Sequence, residues 1–459
     1  MVLASIVPLT IFMHTQSLLF FPFEFPNDLV LLLAGAAGAF LLSYLFTFGV
    51  IAVSRKLGLF DRPEPGRTDK KKISRLGGVG IFLAFVVASL LFYVHKAYQV
   101  AGPLTPEQNP ETTIYWLFLV GAVLIVLVHA YDDLKPLKPL VKLVAQTLAV
   151  IIVLGPFGNR FNGVLLFGFS NPFSAGVYQP GLPWYREPVI TLFIHTPDIT
   201  LAAIPAVLFT WFWMVGMMNT VNLIDGVDGL ATGVVAITAL CITITSWILH
   251  QYTIAILAAI FTGAALGFLP HNWNPAKIIM GDSGAHFLGL GLAVLSIIGG
   301  AKVGAALMVL GIPILDLAVV AINRIRRGQS PLHYDTTHLH HRLRATGLNA
   351  RQICYVFYSL TAIFGILSLN LLRIYKLIGI GLVVVAMIAL ITWIDYRQRR
   401  RGTPIHLGDS DSGPRSDGGA SQSGAPKADT KNGDGVAQMI ATPPLPDSTD
   451  AHSNAQLPR

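Results

Sequence analysis

Apolar positions along this chain gather into long runs separated by short polar segments. Many of the runs reach about 20 residues, enough for a helix rising 1.5 Å per residue to cross a hydrocarbon core of about 30 Å. The pattern predicts eleven helices, over residues 29–53, 76–95, 113–131, 139–155, 200–218, 229–248, 253–270, 284–300, 303–322, 353–370 and 375–394. The alternating segments of about ten residues that build a membrane barrel are absent. Residues 1–25 are also apolar, but Pro8, Pro22, Glu24 and Pro26 interrupt them and no basic stretch precedes them. An interfacial or re-entrant segment is expected there rather than a signal peptide. The expected fold is an all-α integral membrane protein of 10–11 transmembrane helices. It divides into an N-terminal segment (1–28), a polytopic membrane domain (29–401) and a tail (402–459).

Composition agrees: 53% of residues are hydrophobic and 12% charged, against about 25% charged in a soluble domain. The net charge of +8 is then a statement about topology rather than about nucleic acid, which is not an expected partner. With an outside N-terminus, segments 54–75, 132–142, 271–283, 323–352 and 395–401 carry 22 Lys and Arg, while the opposite face carries six. The positive-inside rule makes the first set cytoplasmic, in a multi-pass protein of the cell inner (plasma) membrane. Cys241 and Cys354 both lie in apolar runs, which argues against a disulfide framework or a Cys-based metal site. From Gly402 onward half of the 58 residues are Gly, Pro, Ser or Asp, so a disordered cytoplasmic tail is expected. Residues 156–199, with aromatics and a Gly-Val-Leu-Leu-Phe-Gly-Phe run, are expected to form a small outside hairpin.

The acidic residues are unevenly placed. Six of the 17 outside the tail fall in four short clusters, and the parity of the spans puts every cluster on the cytoplasmic face. Asp132 and Asp133 end the third span, and adjacent ionised carboxylates near a membrane favour a bound cation or a cationic partner. Lys135, Lys138 and Lys142 follow. Oxygen donors without cysteine suit a hard cation, Mg²⁺ or Mn²⁺, rather than zinc. Asn222, Asp225 and Asp228 recur every three residues and would share one face of a helical turn; the D-x-D-x-D-G pattern of a calcium loop is not met.

Asn272 opens a polar loop that runs to Gly281-Asp282-Ser283-Gly284 at a helix start, a place to receive phosphate or to present a carboxylate to a metal. Asp335 precedes His338, His340, His341 and Arg342, where imidazoles can hydrogen-bond to phosphate or carry a proton and guanidiniums match phosphate oxygens. No HExxH arrangement accompanies these histidines, which disfavours a zinc protease. Asp316, an isolated carboxylate within a span, should face the bundle interior, for a structural partner or a direct role. His129, His195, His250 and His286 read as structural or interfacial.

Taken in order, Tyr131-Asp132-Asp133 with Pro139 and Lys142, Asn222 to Ala231, Pro275 to Gly284, and Asp335 to Arg342 resemble the polyprenyl-phosphate N-acetylhexosamine-1-phosphate transferases, glycosyltransferase family 4. The likeness covers roughly residues 55–345. It implies Mg²⁺-dependent transfer of N-acetylglucosamine-1-phosphate from a UDP-sugar donor to undecaprenyl phosphate in the membrane lipid, with release of UMP. That reaction would initiate cell-envelope polysaccharide or teichoic acid synthesis. Another UDP-sugar, such as UDP-MurNAc-pentapeptide, is the alternative, and a homodimer is a further partner to consider.

By resemblance Asp282 is the principal metal ligand with Asp225 beside it, and Asp132 and Asp133 are catalytic, Asp132 activating the lipid phosphate. Asp225, Asp228 and Asn222 lie near the nucleotide, Asn272 contacts uracil, and His338, His341 and Arg342 bind substrate around a catalytic His340. The His-x-His-His spacing looks like the N-acetylglucosamine branch; the pentapeptide branch carries three consecutive histidines. One stretch departs from the pattern: aligned on Arg75-Leu76-Gly77-Gly78, Asp69 replaces a histidine, and Lys72 and Ser74 replace prolines. Lys72 is the expected phosphate-binding lysine. A secondary transporter fits less well, because it would hold its ionisable groups near the bilayer midplane. A non-catalytic scaffold would be expected to have lost some of the six acids.

Overall fold

A computed structural model describes residues 27–60, 73–94, 96, 110–166, 168–170, 189–191, 198–298, 303–326, 338–370 and 373–401. The expected N-terminal segment to residue 26, Lys72, Asp335 and the tail from Gly402 lie outside the described residues. In chain order the helices are α1 (Asp28–Leu57), α2 (Gly77–Ala88, prolonged by a π-helical turn, Ser89–Tyr93), α3 (Pro110–Leu134), α4 (Pro139–Leu154) and α5 (Ile204–Ile224). There follow α6 (Leu230–Ile248), α7 (Tyr252–Asn272), α8 (Gly281–Ile297), α9 (Val303–Val309), α10 (Gly311–Arg326), α11 (Leu339–Ala345), α12 (Ala350–Asn370) and α13 (Arg373–Arg401).

The protein is an all-α, multi-pass membrane protein. Among the described residues six helices are long and apolar enough to span a bilayer: α1, α3, α5 with its preceding 3-10 turn, α6, α7 and α12. Helices α9 and α10, bent by 77° at their junction, make a seventh if taken as one span. Helices α2, α4, α8 and the Ile378–Ile394 part of α13 are apolar but shorter. The expected count of 10–11 is therefore met as apolar helical segments, and only six or seven of these have full spanning length. A helix enclosed by others need not match the lipid thickness, because its surroundings are protein.

Helix ends follow local chemistry. Asn27 Oδ1 accepts the Val30 N–H (2.9 Å) to cap α1, and α4 opens on Pro139 after Lys138. The core is built on α7 and α8. Helix α7 is buried almost throughout, and every residue of α8 except Asp282 is buried. The ring of Phe85 packs against Phe118, Phe261 and Phe287 at centroid distances of 5.9, 5.7 and 5.6 Å. Large apolar side chains such as Leu33, Phe48, Leu127 and Ile366 face outward, as lipid contact permits.

Two short non-helical stretches tie the bundle together where α2 and α8 begin. Ile279 N–H donates to Ser74 O (2.9 Å), and Gly77 and Gly78 N–H donate to Ile279 O (3.1 Å) and Met280 O (2.8 Å). Between α4 and α5 lie two small antiparallel pairs, β1 (Pro156–Phe157) with β2 (Arg160–Phe161), and β3 (Gly168–Ser170) with β4 (Val189–Thr191). They fall in the region where a hairpin was expected.

Candidate active site

The single half-exposed residue of α8, Asp282, is where the site assembles. Its carboxylate accepts from Lys142 Nζ (2.7 Å) at Oδ2 and from Asn222 Nδ2 (3.1 Å) at Oδ1. Lys142 Nζ also reaches Asp132 Oδ2 at 2.5 Å, so one ammonium bridges two carboxylates from different helices. Asp132 Oδ1 accepts the Leu137 N–H (2.7 Å), which folds the α3–α4 turn around it.

Asp133 points elsewhere. Its two oxygens accept the N–H of Asp282 (2.7 Å), the N–H of Ser283 (3.1 Å) and the Ser283 hydroxyl (2.7 Å). The two N–H groups are orphan donors of the first turn of α8, so α3 supplies the N-terminal cap of another helix. Gly281 makes the turn with φ +73°, and a Cβ there would collide with the Arg75 carbonyl and with the Asp133 carboxylate.

Asp225 follows the last turn of α5, half-buried. Burial pushes its carboxyl well above the usual range; Asp282, Asp133 and Asp228 push the same way, and Arg75 opposes them. Asp228 Oδ2 accepts from Asn274 Nδ2 (3.0 Å) and Ala276 N (3.2 Å). Buried Asn272 links the same loop to α6: its Oδ1 accepts from Gly229 N (3.0 Å) and Thr232 Oγ1 (3.1 Å), and its Nδ2 donates to Ile278 O (3.1 Å).

The histidine cluster adjoins this group. Asp316, midway along α10, accepts from Leu339 N (3.1 Å) and lies 3.2 Å from His338 Nδ1, fastening the start of α11. His340 is buried, its ring parallel to that of His338 and 4.2 Å from that of His341. A Cβ on Gly226 would strike His340 Nε2, so the Asp225–Asp228 turn and the imidazole are in direct apposition. Burial, reinforced by His341, His338 and Arg344, lowers His340 to about 3, and the ring is neutral near pH 7. His341 and Arg342 are partly exposed beside it.

Lys142, Asn222, Asp225, Asp228, Asp282 and His340 are among the residues that line a cleft of about 2080 Å³. One end is polar, with Asp225, Asp282, Lys142 and Arg324; the other runs along Phe209, Phe212, Trp213, Leu307, Ile314 and Leu317. Phe212 is 68% exposed, so this apolar wall opens towards lipid.

The structure thus brings together Asp132, Asp133, Asn222, Asp225, Asp228, Asn272, Asp282, His338, His340 and His341, and places Lys72 outside the described residues. Sequence reasoning named Lys142 among three lysines and, with Pro139, in the family likeness without giving it a role, and did not place Arg324 among the site residues. The signal for Lys142 was its place as fourth residue of a helix opening with Pro139, just after the carboxylate pair. Among the described residues no three His, Cys, Asp or Glu are arranged to hold a metal ion.

Comparison with known proteins points the same way. The profile described as "Glycosyl transferase family 4" matches residues 115–300. A probable undecaprenyl-phosphate N-acetylglucosaminyl 1-phosphate transferase of Bacillus subtilis is 31% identical over 325 residues, covering 70% of this chain and 79% of the relative. A decaprenyl-phosphate N-acetylglucosaminephosphotransferase of Mycobacterium tuberculosis is 29% identical over 355 residues (72% and 79%). A phospho-N-acetylmuramoyl-pentapeptide-transferase of Leuconostoc mesenteroides is 29% identical over 343 residues (72% and 96%).

Proposed function

The chain belongs to glycosyl transferase family 4, and from that premise we propose that it moves N-acetylglucosamine-1-phosphate from UDP-N-acetylglucosamine to undecaprenyl phosphate. It is a membrane sugar-phosphate transferase; donor, acceptor, cation and sidedness are our reading. The observation that carries it is the cleft, whose carboxylate, lysine and histidine end continues into a wall of aromatic and aliphatic side chains open to lipid. A nucleotide diphosphate suits the first part, and a phosphorylated isoprenoid entering sideways suits the second. The names of the relatives from Bacillus and Mycobacterium support the same sugar and the same kind of acceptor.

In this reaction an oxygen of the lipid phosphate bonds to the β-phosphorus of the donor, the bond from that phosphorus to UMP breaks, and UMP leaves with the electron pair. Phosphoryl transfer of this type asks for positioning and charge neutralisation more than for covalent help. Lys142, held between Asp132 and Asp282, puts a cation at the reacting end of the cleft. Asp132, paired with Lys142, is the group we assign to take a proton from the acceptor phosphate, and neutral His340, which lines the cleft, to hydrogen-bond to phosphate or sugar. Arg324 and Arg344 line the cleft, with Arg342 on the same short helix as Arg344, and are available to the diphosphate.

The donor set fits Mg²⁺, with Mn²⁺ as a substitute. Four carboxylates crowd one another around Asp225, and the oxygens of Asp225 and Asp282 are hard ligands. Mg²⁺ commonly binds one or two carboxylates plus substrate phosphates, so a ready-made cage of three is not required. Bound through Asp282 and Asp225, it would neutralise the charge of the diphosphate. The 22 Lys and Arg on one set of segments support a cytoplasmic site.

The test is a membrane assay with undecaprenyl phosphate, Mg²⁺ and a panel of labelled UDP-sugars, scoring lipid-linked product and UMP. Product from UDP-N-acetylglucosamine is expected. Exclusive use of UDP-MurNAc-pentapeptide would overturn the donor and keep the chemistry, and no product from any donor would refute the reading.

A further inference from the structure

Two histidines that the proposed reaction does not use lie directly beneath the carboxylates. His129 is one turn before Asp133 on α3, and His286 is one turn after Asp282 on α8. Both rings are buried and stack at a centroid distance of 3.9 Å with 23° between planes. His129 Nδ1 lies 2.9 Å from Ile125 O, and His286 Nδ1 lies 2.8 Å from Asp282 O. A carbonyl oxygen only accepts, so Nδ1 carries the hydrogen on both rings. His129 Nε2 is buried with no hydrogen-bond partner among the described residues. An apolar side chain would fill that space without an unsatisfied polar atom, so filling the core does not by itself account for imidazole here.

The arrangement is a ladder of two rungs between antiparallel helices. Residues 129 and 133 on α3 face residues 286 and 282 on α8, four apart on each helix. The first rung is the Asp133 cap on Asp282 and Ser283; the second is the ring stack. Asp282 is gripped on both sides of its own backbone, its N–H by Asp133 and its carbonyl by His286. Helix α8 is held along its length by α2 and α5, so one rung alone leaves slack only in its first turn against α3. With the rungs about 6 Å apart at 1.5 Å rise per residue, 1 Å of slack at the stack turns the first helical turn by roughly 10°. Catalytic constellations are held within about 0.5 Å, so about 1 Å of slack is enough to misaim the carboxylate.

We infer that the His129–His286 stack is a positioning device that fixes the first turn of α8 against α3, and so the aim of Asp282 at its cation and at Lys142. The inference rests on the metal reading of Asp282 given above. It calls for three variants of the full-length protein, His286→Leu, His129→Leu and the double His129→Phe/His286→Phe, which keeps two stacked rings but no Nδ1 donors. Mn²⁺ binding in the presence of UDP, followed by the free-ion EPR signal, is read beside kcat, KM for UDP-N-acetylglucosamine and Tm.

The leucine variants should bind Mn²⁺ about tenfold more weakly, as orienting groups around a metal ligand do. Their kcat should fall about 10- to 100-fold, the size of effect expected for an ångström of misplacement, with KM within about twofold. The phenylalanine pair should recover most of both losses. Should the leucine variants not be obtained folded, His286→Asn takes their place with the same expectation, since it keeps a donor and removes the ring.

Leucine variants with wild-type Mn²⁺ affinity and kcat would overturn the inference. So would kcat, KM and Tm falling together with no recovery in the phenylalanine pair. Wild-type protein that binds Mn²⁺ but uses no UDP-N-acetylglucosamine would refute the donor alone, and the stack would still be judged on Mn²⁺ affinity. Wild-type protein that binds no Mn²⁺ would overturn both.

Discussion

Replacing Asp133 separates a cap from a reacting group. Asp133→Ala leaves the N–H groups of Asp282 and Ser283 and the Ser283 hydroxyl without their acceptor in a closely packed place. Losing an N-cap costs about 0.5–2 kcal/mol, and each buried donor left unpaired about 1–3 kcal/mol. These terms overlap and some relaxation is certain, so the net loss is about 3 kcal/mol. Unfolding roughly 300 ordered residues at about 2.1 cal/mol/K each gives an entropy near 0.6 kcal/mol/K, so Tm should fall by about 5 °C.

Asp133→Asn keeps one oxygen as acceptor and should lose about 1–2 kcal/mol, or about 2–3 °C. The assay is thermal unfolding of purified protein in detergent beside UMP release. If capping is the main duty, Asp133→Asn stays measurably active, with a loss of about tenfold from the loosened first turn of α8. Asp133→Asn that unfolds like wild type yet is as inactive as an Asp282 variant would refute the capping argument and make Asp133 a participant in the chemistry.

Other outcomes follow from the same geometry. Asp282→Asn should remove most metal-dependent turnover while leaving Tm within a few degrees, and near-normal activity at low Mg²⁺ would contradict its role. Asp132→Asn should abolish most turnover but retain UDP-sugar binding; lost binding would move Asp132 to the metal or nucleotide. Gly226→Ala puts a methyl against the His340 ring, so activity should fall at least tenfold with a modest change in Tm, checked by kcat and unfolding.

His340, lowered to about 3 from an ordinary value near 6.5, binds its proton more readily when unfolded. The stability it contributes is fully present above about pH 6.5 and is lost as pH falls from there towards 3; at pH 5 the loss is about 2 kcal/mol. His340→Asn should flatten this part of the stability profile relative to wild type. An identical acid slope in the two proteins would show that burial of His340 is not its source.

The helices and the membership of the four clusters were legible because both are local: run length, and acids or histidines close together in sequence. What each member does was not. Asp132 and Asp133 look equivalent as a pair, but neighbours on a helix diverge by about 100°, and their partners come from other helices. Lys142 takes one and α8 the other. Asp316 was readable as inward-facing, whereas its attachment to the start of α11 depends on which segment packs against α10. His129 and His286 each sat alone in an apolar run, and only the packing of α3 on α8 makes them a pair. Asn272, expected at the base, is tied by both ends of its amide to α6 and to Ile278, a pattern no spacing announces.

The cap that α3 places on α8 also bears on how the chain is made. Asp133 leaves the ribosome 150 residues ahead of Ser283. At about 5–20 residues per second, that is roughly 7–30 s during which the carboxylate exists without its donors. An ionised group cannot wait inside hydrocarbon, so the end of α3 must stay at the wet interface until α8 is inserted and withdraws it. Closure of the site is therefore a late event in biogenesis. A chain stopped before Gly281 would hold an inserted α3 whose terminal carboxylate keeps that helix end in contact with water.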